Sequence, residues 1–209
     1  MELHSVKVSG NSSRAVFAAY ESGLPIRFQL VDTTVGQHQS PEYKALNPMG
    51  KIPTLTDGPF RLWESNAIGL YLVEQGPAHH LVPATAQGRA SMQRWLFFQA
   101  AHLTPACAPV FRALNEQVRA FWKLAPDPRD VEQGRKELAR FLPVLEQAVT
   151  GREWLEETFS LADIAYAPHL WLLHEGGFDF APYPALQAWL GRVWARPAWK
   201  QTTALVFGK

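Results

Sequence analysis

Cysteine is almost absent from this chain: Cys107 is the only one in 209 residues. A lone cysteine excludes a disulfide within the chain, a CxxC redox pair and a cysteine-built zinc cluster. It suits a reducing compartment. Net charge is equally scarce. Twenty Lys and Arg face nineteen Asp and Glu, a balance of +1, so no electrostatic argument favours nucleic acid or an anionic membrane as a partner. Long apolar runs are missing as well. The longest uncharged stretch, Trp95 to Phe111, is interrupted by Gln99, His102, Pro105 and Pro109 and is short for a bilayer span. The opening residues, Met-Glu-Leu-His-Ser-Val-Lys, lack the basic start and apolar stretch of a signal peptide. His4, His79, His80, His169 and His174 show no metal-ligand spacing, and a lone histidine is more often structural. No repeat or low-complexity segment stands out. These absences lead to the expectation of a cytoplasmic protein without metal, membrane or nucleic-acid partners.

What is present is a substantial core, with 47% hydrophobic residues, enough to exclude wholesale disorder. The chain changes character near residue 76. Before it, the patterns predict strands at Leu3 to Val8, Ile26 to Val31, Ile52 to Leu55 and Phe60 to Trp63. Helices are expected over Ser13 to Gly23, Ser40 to Leu46 and Ser65 to Glu74. The order β-α-β-α-β-β-α defines a compact α/β unit over residues 1–76. Gly76-Pro77 and Pro83 mark a linker over 77–87. Residues 88–209 read as all helical, with segments over Gln87 to Leu124, Asp130 to Val149, Leu161 to His174 and Ala185 to Ala195. Pro105 and Pro109 should bend or break the first of these.

Three stretches carry chemistry. In Asn47-Pro48-Met49-Gly50-Lys51-Ile52-Pro53-Thr54-Leu55 a proline stands where a strand should begin. A cis Ile52–Pro53 bond there would turn the Ile52 backbone outward for an extended peptide ligand; an ordinary trans edge proline is the commoner case. In Leu62-Trp63-Glu64-Ser65-Asn66 the serine falls at a helix start. Its hydroxyl and the free N–H groups suit an anion, and Glu64 beside it suits an ammonium, together a zwitterionic amino-acid head. A plain N-cap next to a surface acid is the bland alternative. In Val8-Ser9-Gly10-Asn11-Ser12-Ser13-Arg14, hydroxyls and free N–H groups open the first helix, where they can stabilise an oxyanion or a thiolate. No His and Asp accompany them as a triad.

In this order and spacing the three stretches resemble the glutathione transferase family, over essentially the whole chain. Gly36-Gln37-His38-Gln39-Ser40-Pro41-Glu42-Tyr43 looks most like the theta class and its bacterial relatives, which are serine-type. The resemblance implies a thioredoxin-like α/β N-terminal domain, an all-α C-terminal domain, and glutathione as co-substrate. It implies that Pro53 is cis and that Ile52 pairs with the cysteinyl part of glutathione. Glu64 and Ser65 would hold the γ-glutamyl head, and Lys51 and His38 would approach the glycyl carboxylate. Ser9 stands at the thiolate activator's place, with Asn11 and Ser12 as alternatives if the register slips. The electrophile would be met by His102, Ala106, Val110, Phe111 and Trp171. Ser160-Leu161-Ala162-Asp163-Ile164-Ala165 matches the family's buried capping box, a folding motif. A homodimer is implied, with Phe60 and Trp63 as candidate apolar contacts. The competing readings are glutathione-dependent isomerisation or peroxide reduction in the same pocket, and a non-catalytic binding module on the same fold.

Overall fold

A computed structural model describes residues 1–209. The chain forms two compact units, Met1–Val82 with Pro197–Lys209, and Pro83–Arg196.

The first unit is built on a four-stranded sheet of order β2-β1-β3-β4, with β1 Glu2–Ser5, β2 Arg27–Leu30, β3 Thr54–Asp57 and β4 Phe60–Trp63. β1 runs parallel to β2 and antiparallel to β3, which runs antiparallel to β4. Side chains alternate between sheet faces. Leu3 and Leu55, paired and fully buried, point toward α1 (Gly10–Ser22) and α3 (Ser65–Gln75). His4 and Thr54 point the other way, toward Tyr43 of α2 (Pro41–Leu46). The expected β-α-β-α-β-β-α order holds. The first strand is shorter than Leu3 to Val8, because the chain turns after Ser5 and Val8 takes φ +53°. The third begins at Thr54, after the Pro53 that cannot donate to a ladder. The first helix starts at Gly10, earlier than Ser13, with Ser9 as its N-cap and Gly23 at φ +71° closing it.

The second unit contains α4 Ala86–Phe98, a π-helical turn Gln99–Leu103, α5 Thr104–Leu114, α6 Glu116–Trp122, α7 Pro128–Val149, α8 Leu161–Glu175 and α9 Pro184–Ala195. Pro105 removes a helical donor. The chain answers by widening, with Thr104 N–H reaching back five residues to Gln99 O, rather than by breaking. α7 buries Gly134, Leu138, Leu142, Leu145 and Val149, one face at helical spacing. Gly134 allows a close approach to α5: a Cβ there would stand 2.7 Å from Pro109 Cγ and 2.8 Å from Ala106 O. The expected capping box is formed. Ser160 Oγ accepts from Ala162 N–H, and Asp163 accepts from the N–H groups of Ser160 and Leu155 and from Trp189 Nε1.

The last helix, α10 (Pro197–Phe207), lies within the half read as helical but beyond the last segment named there, and it joins the first unit rather than the helical one. Trp199 stands edge-on to Phe17 of α1 with ring centroids 5.3 Å apart. Helical periodicity states that a face is buried, not against which neighbour, so a boundary of 88–209 could not anticipate this return. No helix is long and apolar enough to cross a membrane.

Candidate functional site

Sheet register brings the three chemistry-bearing stretches to one end of the sheet. His4 pairs with Thr54, and Thr54 with Trp63. The segment after β1 (Val6 to Ser9), the segment before β3 (Lys51 to Pro53) and the segment after β4 (Glu64, Ser65) therefore leave the sheet side by side. The chain after β2 exits at the same end, with Val31 N–H bonded to Ser5 O at 2.8 Å.

Ser9 caps α1. Its Oγ accepts from Ser12 N–H at 3.3 Å, while its carbonyl takes the N–H and hydroxyl of Ser13. The Ser9 hydroxyl proton is given to no acceptor in the chain and is available at the positive end of a 13-residue helix. The alternatives fare differently. Ser12 is fully buried and its Oγ accepts from Val6 N–H at 3.0 Å, which turns it inward to hold the loop. Asn11 is exposed, with its Oδ1 held by Arg14 Nη1 at 3.1 Å.

The Ile52–Pro53 peptide is cis. Ile52 is half-buried, lies outside the strand ladder, and engages neither its N–H nor its C=O in a hydrogen bond within the chain. The preceding carbonyl is tightly held. Lys51 O accepts from Asn47 Nδ2 at 2.7 Å and from Tyr43 Oη at 3.1 Å. Thr54 Oγ1 lies 3.0 Å from Tyr43 Oη and 3.2 Å from Asn47 Nδ2, closing a buried knot beneath the turn. Burial pushes the Tyr43 hydroxyl above its usual range, so it remains a donor. His4 packs edge-on against Tyr43, and burial holds its imidazole below the usual value despite Glu2 beside it. Lys51 itself projects exposed.

Glu64, not Ser65, occupies the cap position of α3, at φ +71° and ψ +111° with no side-chain cap bond. A non-glycine residue in that region costs about 1–3 kcal/mol, and such residues cluster at ligand sites. Ser65 is the first helical residue, 6% exposed, and its Oγ accepts from Arg14 Nη1 at 2.7 Å. The anion site expected of Ser65 thus contains a buried guanidinium from α1. Arg14, 4% exposed, is a candidate that the sequence pattern does not single out. Its one signal is a lone cation within the apolar run of the first helix.

His38 sits in a 3₁₀ turn, Gln37–Gln39, against Gly50, with Gln39 Nε2 donating to Gly50 O at 3.2 Å. Its Nδ1 is buried without a partner. In the helical unit, His102 and Ala106 line an open cleft of about 470 Å³ between α5 and α7, with Arg112, Gln133, Glu137 and Phe141. His102 and Phe141 rings lie 5.5 Å apart. Val110, Phe111 and Trp171 do not line it. They are buried in the core of that unit, Phe111 against His169 at 5.7 Å. Cys107 is fully buried among apolar groups, which pushes its thiol up and leaves it unreactive.

Known proteins resemble this chain in sequence and fold. Residues 1–74 match the model of the glutathione S-transferase N-terminal domain, and residues 128–192 that of the glutathione S-transferase C-terminal domain. Glutathione S-transferase 3 of Zea mays is 34% identical, covering 99% of this chain and 94% of its own. The theta-class glutathione S-transferase of Xanthomonas axonopodis pv. citri, solved with glutathione bound, superposes with a TM-score of 0.87 at 28% identity, covering 96% of this chain and 95% of that one. A glutathione S-transferase III in apo form gives a TM-score of 0.82 at 33% identity over 98% and 96%. The chain belongs to the glutathione S-transferase family.

Proposed function

We propose that this protein is a glutathione transferase in which Ser9 activates the thiol. The observation that carries the reading is the convergence, at one end of the sheet, of an uncommitted Ser9 hydroxyl and an unpaired Ile52 backbone with Glu64 and Ser65. The Ile52 N–H and C=O pair with the cysteinyl residue of glutathione. Ser65 and Arg14 receive the γ-glutamyl carboxylate, Glu64 receives the ammonium, and Lys51 and His38 face the glycyl carboxylate.

A free thiol titrates near about 8.5. A hydroxyl hydrogen bond and a helix N-terminus lower that by about one to three units, each worth about 1.4 kcal/mol. The thiol proton leaves to solvent. The thiolate attacks an electrophilic carbon, a C–S bond forms, and the leaving group departs with its electron pair. No covalent enzyme intermediate is needed, and catalysis comes from thiolate supply and proximity. The electrophile is a small, mostly hydrophobic molecule taken by the helical unit, where Ala106 and the Phe141 ring offer apolar surface in a cleft also lined by His102, Arg112, Gln133 and Glu137. The working form is a cytoplasmic homodimer. Its support is the exposure of Phe60 (44%) and Trp63 (38%) on the edge strand β4.

Turnover of an activated aryl chloride with glutathione, followed as product absorbance, tests the activity. Saturable, glutathione-dependent rate above the uncatalysed reaction is expected. Glutathione binding without turnover would leave only the carrier reading, against which the free Ser9 proton argues. Light scattering tests the dimer, with Trp63→Arg expected to give monomers.

A further inference from the structure

We propose that α10 is part of the machinery that positions Ser9, with Lys7, Val8 and Val206 as positioning residues. The inference rests on the reading of Ser9 as thiol activator. Val8 immediately precedes Ser9 and is the strained point of the loop. It is a β-branched residue at φ +53°, only 6% exposed. A β-branched side chain at positive φ is a true outlier and persists only where the surroundings over-determine it. Two of the bonds that hold this loop come from the far end of the chain. Val8 N–H donates to Val206 O at 3.0 Å, and Lys7 Nζ donates to Leu205 O.

These two carbonyls lie in the last turn of α10, where helical carbonyls have no following N–H groups to serve them. The Ser9 loop therefore caps the helix, and the Lys7 ammonium stands at its negative end. In return the helix holds the loop. Its grip is two-sided, because Trp199 also packs on Phe17 of α1, the helix that Ser9 caps. The Val8 conformation sets the direction in which the chain enters α1, and with it the direction of the Ser9 hydroxyl. None of Lys7, Val8 or Val206 belongs to the head-group contacts at Ile52, Glu64 and Ser65. Loosening the clamp should thus disturb the sulfur and spare the binding of the peptide.

The test uses the full chain with Lys7→Met and, separately, Trp199→Leu. The thiolate absorbance of bound glutathione is titrated against pH alongside kcat and KM. The expected result is a bound-thiol pKa raised by about half a unit to one unit, with kcat below that pKa reduced about 3- to 10-fold. KM for glutathione should stay within about twofold. Because glycine takes φ near +53° without steric cost, Lys7→Met should cost less in a Val8→Gly background than alone, a coupling that a merely structural role would not produce. A lowered melting temperature with unmoved thiol pKa and kcat in both single variants overturns the proposal. Ser9→Ala run in parallel separates the two readings. If it leaves the thiol pKa unchanged, the activator reading fails and the clamp falls with it.

Discussion

Arg14 offers the sharpest test of how the γ-glutamyl head is held. Its guanidinium is almost fully buried and donates to Ser65 Oγ at 2.7 Å. A carboxylate hydrogen-bonded to the far side of that hydroxyl would stand about 5 Å from the cation. At an effective dielectric of about 20 such a pair interacts by about 3 kcal/mol. Hydrogen bonds involving charged groups contribute about 1.5–3 kcal/mol by mutation. Arg14→Met, which keeps the apolar stem, should therefore weaken glutathione about 10- to 100-fold. Isothermal titration measures this directly. KM for glutathione should rise in parallel while kcat at saturation changes by less than about threefold, because uniform binding is lost rather than transition-state stabilisation. Arg14→Lys keeps the charge but loses the planar fork, and should recover part of the affinity. An Arg14→Met protein that folds and binds glutathione as tightly as the parent would refute the reasoning.

Three further outcomes follow from the same geometry. Glu64→Gly removes the cost of φ +71°, so thermal unfolding should show stabilisation of about 1 kcal/mol while calorimetry shows weaker glutathione, a direct exchange of stability for binding. Asn47→Ala strips Lys51 O and Thr54 of a shared donor; leaving these buried acceptors short should cost about 1–3 kcal/mol in denaturant unfolding, and KM for glutathione should rise because the Ile52 turn loses its support. Burial lowers the His4 pKa, so the folded state resists its protonation. Stability is then fully present above the unfolded value of about 6.5 and declines as pH falls through it toward the folded pKa, a slope that His4→Phe should flatten in melting curves taken across that range.

Much of this site is legible in the sequence because its chemistry is local. Phe60 to Trp63 forms the strand expected beside the Asp57-Gly58 turn, and Ser65 opens the helix expected of it, while the cis Pro53 follows from the family resemblance and not from the local sequence, where trans is the commoner case. The illegible parts depend on distance. Arg14 and Ser65 meet across 51 positions, and Lys7 and Leu205 across 198. No local pattern marks either pair. The choice among Ser9, Asn11 and Ser12 also turns on direction. All three are small and polar at a helix start, and only the fold shows that Ser12 points inward to Val6. The proline-bearing helix widens into a π turn over Gln99–Leu103, an outcome that the position of Pro105 in the sequence leaves open beside a bend or a break. Val110 and Phe111 share a helical face with His102 and Ala106, and helical spacing does not distinguish a pocket wall from a core; both, like Trp171, are buried.

The central claim is that Ser9 makes the thiolate. The ultraviolet thiolate absorbance of bound glutathione, titrated against pH in the parent and in Ser9→Ala, tests it most directly. The expected pKa is at least about one unit below the free value of about 8.5 in the parent, returning toward that value in Ser9→Ala. An unshifted thiol in the parent, or a depressed pKa that survives the substitution, would contradict it.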